Sequence, residues 1–160
     1  MTCSSDNSAI GSDDRSGQHG AAAHSPRVSV TIPVYNCEPF FRQTLDSVLA
    51  QTLQDWECII VDDASTDRTA DIAMEYAAKD SRFKVYKLDA ATKQPYPACR
   101  NKAIELAKGK WIAPLDGDDW WEPWKLERQL ALAESEPGIV ICCARAHVWQ
   151  DGRIVATSQA

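Results

Sequence analysis

The chain has 160 residues, enough for one domain with a substantial core and not comfortably enough for two. Its formal net charge of -6 argues against a nucleic-acid surface, while leaving room for a phosphate compound held through a metal. No apolar run approaches the roughly 20 residues that span a bilayer. Residues 1–26 are rich in Ser, Gly, Asp and Ala and lack the apolar stretch of a secretory signal, so they read as a disordered leader ahead of a domain over 27–160.

From residue 28 the apolar pattern changes period repeatedly. "VSVTIP" (28–33) alternates Val28, Val30 and Ile32 and predicts a strand. "EPFFRQTLDSVLAQT" (38–52) sets Phe41, Leu45, Val48 and Leu49 on one helical face. "WECIIVDD" (56–63) is the continuous apolar run of a buried parallel strand. "STDRTADIAMEYAAKD" (65–80) predicts a helix opened by Ser and Thr, with Ile72, Ala73, Tyr76 and Ala77 inward. A strand over 82–88 and a helix over 97–109 follow, the helix opening near a proline and closing at Gly109. The spacing then predicts a strand over 110–116, a helix over 122–135 with Leu126, Leu130 and Ala133 inward, and a fifth strand over 138–144. "QDGR" (150–153) predicts a hairpin turn between "AHVW" and "IVAT". Strands alternating with helices imply an α/β fold, a mostly parallel sheet with helices on both faces.

Six cysteines, Cys3, Cys37, Cys58, Cys99, Cys142 and Cys143, show no two-residue zinc-knuckle gap and read as reduced thiols, several of them core residues. In open parallel sheets ligands bind beyond the carboxyl ends of the strands. Pro33, Tyr35, Asn36 and Glu38 follow the first strand, Asp62, Asp63 and Ser65 the second, and Asp116, Asp118 and Asp119 the fourth. Three carboxylates within four positions repel one another unless a positive group shields them. An Asp-x-Asp at a strand end suits a hard divalent cation, Mn²⁺ or Mg²⁺, which takes one or two carboxylates and completes its shell with water and phosphate oxygens. Helix capping by Asp118 or Asp119 is the plainer alternative. Neither G-x-G-x-x-G nor G-x-x-x-x-G-K-S/T occurs, so dinucleotide-binding and P-loop readings fall away. Lys93, Arg100 and Lys102 are then the basic residues near the site, and Arg100 has the fork geometry to pair with a diphosphate.

The stretches "VSVTIPVYNCEPFFRQTLDSVLAQTLQDWECIIVDDASTDRTADIA" and "ACRNKAIELAKGKWIAPLDGDDWWEPWKLERQL", in this order and spacing, resemble the family 2 inverting glycosyltransferases of GT-A fold over about 28–135. The resemblance implies a nucleoside-diphosphate sugar, usually UDP-linked, as donor. Asp63 would hydrogen-bond the base, with Asp62 a secondary partner, and Pro33, Tyr35 and Glu38 would line the nucleotide pocket. Asp116, Gly117 and Asp118 would form the metal motif, Asp118 making the direct metal contact, and Asp119 would position ribose, diphosphate or the metal shell. Trp120, Trp121 and Trp124 follow; aromatic faces can stack on sugars, but packing a helix on the sheet is the commoner use.

An inverting transfer needs a general base. The family's base lies well downstream of the Asp-x-Asp, and Glu127, Glu134, Glu136 and Asp151 do not sit in its setting. The chain therefore reads as the donor-binding half of such an enzyme, truncated before the acceptor half, its catalytic base not identified. The resemblance further implies a role in cell-envelope polysaccharide synthesis, in the cytoplasm or at the inner face of the membrane, with peripheral membrane association left open. Two rivals are a non-catalytic sugar-nucleotide-binding or interaction module, and a haloacid-dehalogenase-type phosphatase, whose Asp-x-Asp would have to follow the first strand and not the fourth.

Overall fold

The computed structural model describes residues 25–89, 96–150 and 152–158. The expected leader lies almost wholly outside the described residues, as do Cys3, Lys93 and Asp151. Strands β1 (Val28–Val34), β2 (Trp56–Asp62), β3 (Phe83–Lys87) and β4 (Trp111–Pro114) form one parallel sheet in the order β3-β2-β1-β4. Helices α1 (Glu38–Leu49), α2 (Thr69–Lys79) and α3 (Tyr96–Leu106) connect them, and α4 (Lys125–Ser135) follows β4. A separate antiparallel hairpin pairs β5 (His147–Gln150) with β6 (Arg153–Thr157), turning where the sequence predicts, with Gly152 at φ 75°.

Both central strands are buried along their whole length because helices cover both faces. Side chains alternate across a strand. Val28, Val30, Ile32 and Val34 of β1 therefore join Trp56, Cys58 and Ile60 of β2 on one face, against Phe41, Leu45 and Val48 of α1, Ile72, Ala73 and Tyr76 of α2, and Leu126 and Leu130 of α4. Ile59 and Val61 point the other way, onto Cys99 and Ala103 of α3. Tyr76 and Trp56 each meet the Phe83 ring edge-on, at 5.8 and 5.5 Å.

The far end of the sheet carries a buried polar group that the apolar pattern does not reveal. Glu57 accepts from Ser29 Oγ at 2.7 Å and from the Lys108 backbone N–H at 2.7 Å, and pairs with the Lys84 ammonium. A carboxylate can be buried there because each oxygen is partnered. Gly109 donates to Ser29 Oγ at 2.8 Å, and a Cβ on it would stand 2.6 Å from Ser29 N. Its lack of a side chain thus serves the close passage of the chain over β1, three residues after α3 has ended.

Several predicted boundaries move. The helix expected over 65–80 starts at Thr69, because Ser65, Thr66 and Asp67 turn their side chains to the loop after β1. The helix expected over 122–135 starts at Lys125, leaving Pro123 in the approach to it. Leu49, expected inward, is exposed where α1 ends. The strand expected over 138–144 does not form. Its apolar run finds no pairing strand among the described residues; Val140 and Ile141 are 82% and 77% exposed, and Gln129 Nε2 donates to Cys142 O at 3.1 Å. None of the five described cysteines is in a disulfide; Cys58 and Cys99 are core residues, whereas Cys143 is exposed. No helix among the described residues is long and apolar enough to cross a membrane.

Candidate functional site

The sheet runs β1-β2-β3 in one direction and then returns to place β4 on the other side of β1. The chain crosses from one side of β1 to the other at that reversal, the point where open α/β sheets form a ligand crevice. Register aligns the exits: Val34 pairs with Asp62, and Thr31 with Pro114.

The loops after β1 and β2 are zipped together. Asn36 and Ala64 both take positive φ, 52° and 58°, which turns each backbone sharply. Asn36 N donates to Ser65 Oγ at 3.0 Å, and Thr66 N returns a bond to Asn36 Oδ1 at 2.8 Å. Neither α1 nor α2 is capped by its own N-cap side chain. Each loop caps the other helix instead: Cys37 N donates to Thr69 Oγ1 at 2.8 Å, Glu38 N to Asp67 Oδ2 at 3.1 Å, and Arg68 N to Glu38 Oε2 at 3.1 Å. Glu38, expected to line a nucleotide pocket, thus spends one carboxylate oxygen on the start of α2. Asn36 and Ser65 stand in the sequence as polar residues that follow strands, but nothing local shows that they pair across 29 positions.

Asp62 and Asp63 leave β2 in different roles. Asp62 is buried and accepts from the Ser65 N–H and hydroxyl, closing the turn. Asp63 is 8% exposed; its backbone N–H bonds Val34 O at 2.9 Å, and its Oδ1 is buried without a hydrogen-bond partner. Such an orphaned acceptor is uncommon and marks a place where a ligand donor would be welcome. Beneath it lies Cys99 of α3, fully buried. Burial, reinforced by the Asp63 charge, by a hydrogen bond to Asp63 and by Asp62, pushes the Cys99 thiol up to about 11. The thiol keeps its proton at neutral pH and stands as a donor behind the Asp63 carboxylate. The sequence singled out Cys99 only as a core thiol.

The third element is the turn after β4. Leu115 N bonds Thr31 O at 3.1 Å, carrying the sheet one residue further, and Asp119 N bonds Asp116 O at 3.1 Å to close the turn. Gly117 is buried at its centre, where a Cβ would stand 2.7 Å from Val34 Cγ1 and 3.0 Å from Cys37 Sγ. The turn therefore lies directly on the exit of β1. Asp118 and Asp119 are exposed, and Arg100 Nη2 donates to Asp116 Oδ1 at 2.6 Å. Partial loss of solvent within the turn raises the Asp119 carboxyl above its ordinary value, and Asp118 and Asp116 raise it further. Cys37 feels the same field: burial pushes its thiol up, and Asp118, Asp67 and Asp116 add to this against the bond to Tyr35 O.

The structure thus brings Pro33, Tyr35, Glu38, Asp62, Asp63, Arg100, Asp116, Gly117, Asp118 and Asp119 to one end of the sheet, on three adjacent loops and the start of α3. Arg100 is turned to Asp116, so meeting a diphosphate would require it to share or exchange that partner. Trp121 packs on the core with Lys125 over its ring at 4.1 Å, as the packing alternative requires. Trp120 is partly exposed and 6.0 Å from Trp149, and Trp124 is covered by Arg128 at 4.0 Å. Among the described residues no three His, Cys, Asp or Glu side chains gather as a complete metal site. The oxygen donors of the Asp116–Asp119 turn nonetheless fit a hard cation that draws the rest of its shell from phosphate and water, and the mutual repulsion felt at Asp119 is what such a cation would relieve.

Residues 29–159 match the sequence model of glycosyl transferase family 2. The chain belongs to that family. Its parallel sheet with covering helices is the nucleotide-binding arrangement of the GT-A fold. Over 129 residues it is 43% identical to the putative glycosyltransferase EpsH of Bacillus subtilis (strain 168), a match covering 81% of this chain and 37% of EpsH. Over 109 residues it is 40% identical to the UDP-Glc:alpha-D-GlcNAc-diphosphoundecaprenol beta-1,3-glucosyltransferase WfaP of Escherichia coli, covering 68% of this chain and 42% of WfaP. The crystal structure of S. aureus TarS 1–349 in complex with UDP superposes with a TM-score of 0.63 at 31% identity, over 68% of this chain and 32% of TarS 1–349. The chain spans less than half the length of each of these relatives.

Proposed function

We propose that this chain is the donor-binding part of a glycosyltransferase that takes a UDP-sugar with Mn²⁺ or Mg²⁺ and serves inverting transfer to an acceptor hydroxyl. The observation that carries this reading is the orphaned, buried Asp63 Oδ1, at the same end of the sheet as the Asp116–Asp119 carboxylates and one strand away across β1. In this reading Asp63 accepts a hydrogen bond from the nucleobase, held in place by Cys99 below it. Pro33 and Tyr35 wall the pocket, and Glu38 and Asp62 hold its two loops in register.

Asp118, with Asp116, would hold the cation, and Asp119 would order its water or the ribose. When bound, the cation supplies Lewis-acid chemistry, offsetting the charge that gathers on the departing diphosphate. Arg100 neutralises Asp116 and stands ready for a phosphate oxygen. No carboxylate of α4 suits the general base: Glu127 accepts from Thr52 Oγ1 at 2.6 Å, and Glu134 pairs with Arg27. In this reading the chain binds the donor, and the general base is a group outside α4. WfaP's name specifies a diphosphoundecaprenol-linked acceptor; an acceptor of that lipid-linked kind would place the work at the cytoplasmic membrane surface, in envelope polysaccharide synthesis.

Thermal unfolding with a nucleotide panel tests the reading. Ligand at a hundred times its Kd stabilises by about 2.7 kcal/mol. UDP with Mn²⁺ should raise Tm by several degrees and GDP, CDP and TDP by less. No shift with any of the four would refute it.

A further inference from the structure

The Asp116–Asp119 turn is held from beneath by α1. Thr44 of α1 is 1% exposed, and its hydroxyl donates to the Gly117 carbonyl at 2.9 Å. The usual helical partner of such a hydroxyl, here Phe40 O, is longer at 3.4 Å. Two turns further on, Gln51 is equally buried and ties the other end of the same segment. Its amide donates to Glu122 O at 2.9 Å and to Ser47 O at 3.0 Å, and its Oε1 accepts from Leu126 N at 3.0 Å. Thr52 N adds a bond to Pro123 O at 2.8 Å. The segment 117–126 is thus pinned at both ends to α1 and its continuation, while Asp118, Asp119 and Trp120 between the pins are exposed.

Gly117 has no side chain and no room for one, so nothing of its own anchors its peptide. That peptide sets the relation of Asp116 to Asp118. α1 itself begins in the loop zipped to Ser65 and Asp67, so one rigid element carries both the nucleotide loop and the carboxylate turn. We propose that Thr44 is a positioning residue of the Asp116–Gly117–Asp118 turn: its hydroxyl fixes the Gly117 peptide and so presets the two carboxylates before any ligand arrives. Its bearing on ligand rests on the donor-site reading above. Preorganisation of this kind is felt in affinity, because a site that must be ordered on binding binds more weakly.

Thr44→Val keeps the shape and removes the donor, and Thr44→Ser restores it. Two readouts separate positioning from plain stability. In the ligand-free chain, amide hydrogen exchange at Asp119, whose N–H closes the turn on Asp116 O, should be about fivefold faster in Thr44→Val, the size of one ordinary hydrogen bond. Exchange at Ile59, Ile60 and Val61 should be unchanged, and Thr44→Ser should match the parent throughout. By calorimetry with Mn²⁺ present, UDP should bind Thr44→Val about fivefold more weakly, with Thr44→Ser restored. Parent-like exchange at the turn in Thr44→Val overturns the proposal, and so does faster exchange with unaltered UDP affinity. A parent chain that takes no UDP refutes the donor-site reading instead, and the exchange rates then decide the Thr44 proposal by themselves.

Discussion

Gly117→Ala is the smallest change that should separate site from scaffold. The added methyl carbon would stand 2.7 Å from Val34 Cγ1, 3.0 Å from Cys37 Sγ and 3.4 Å from Cys37 Cβ. Carbon atoms rest at about 3.5–4.0 Å, so roughly 1 Å must be opened. Val34 cannot yield cheaply: it is a buried core residue at the end of β1, and its carbonyl accepts the Asp63 N–H at 2.9 Å. Either Val34 moves and takes Asp63 with it, or the turn lifts and takes Asp118. Overpacking of this kind costs about 1–3 kcal/mol. For a domain of this size that is about 4–12 °C in Tm. Because both escape routes displace a proposed ligand contact, UDP affinity in the remaining folded protein should fall at least tenfold. Gly109→Ala provides the contrast, since its Cβ would meet backbone, Ser29 N at 2.6 Å and Val28 C at 2.7 Å. Backbone cannot rotate away, so the loss of stability should be larger, yet the site is at the other end of the sheet and affinity per folded molecule should hold. Thermal unfolding and calorimetry on both variants check this; a Gly117→Ala chain with parental Tm and parental affinity would refute the packing argument.

Three further outcomes follow from particular side chains. Asp63→Asn should weaken UDP binding about tenfold or more with little loss of Tm, because the amide can keep an oxygen toward the Cys99 thiol while setting its NH₂ group where the orphaned Oδ1 stood; a loss of affinity that is fully accounted for by unfolding would contradict that. For Glu57, burial pushes the carboxyl up, but bonds from Lys84, Ser29 and the Lys108 N–H outweigh it and hold the carboxyl below the usual value. A folded value below the unfolded one contributes stability that is present above the ordinary glutamate range and lost as pH falls through the folded value. Glu57→Gln should therefore melt well below the parent at pH 7, by roughly 3 kcal/mol in stability. The gap should narrow below about pH 4, and a constant gap from pH 3 to 7 would contradict the assignment. Alkylation at pH 8 followed by mass spectrometry should, among the five described cysteines, label exposed Cys143 first and leave Cys58 and Cys99 untouched in the folded chain, since burial raises both thiols, Cys99 to about 11; rapid native labelling of Cys99 would overturn its placement behind Asp63.

Alternation of apolar runs with helical stripes was enough to read the sheet and its covering helices, because a strand buried on both faces must be nearly all apolar. "WECIIVDD" and the stripe Phe41, Leu45, Val48 say this directly. The same logic misled at 138–144, where an apolar run has the composition of a strand but pairs with none of the described strands, although the outer edge of β4 is open. Period alone reports what a segment prefers to bury, not whether it joins a ladder. The site's carboxylates were legible because Asp63 and Asp116–Asp119 sit where strands end. What holds them was not. Glu57 with Ser29, Glu38 with Arg68, and Thr44 with Gly117 are polar pairs separated by 28, 30 and 73 positions. A hydrogen-bonding partner across such a separation leaves no periodic trace. The start of α2 shows the cost: Ser65 and Thr66 look like caps in sequence, but they turn toward the loop after β1 and leave Thr69 to open the helix.

The most direct test of the donor site is calorimetric titration of UDP into the folded chain, with Mn²⁺ and then with EDTA, repeated on Asp118→Ala. Binding should need the metal and be lost in Asp118→Ala while Tm stays near the parent's. UDP binding that persists in EDTA, or that survives in Asp118→Ala, would contradict the claim that these carboxylates hold a cation for a sugar nucleotide.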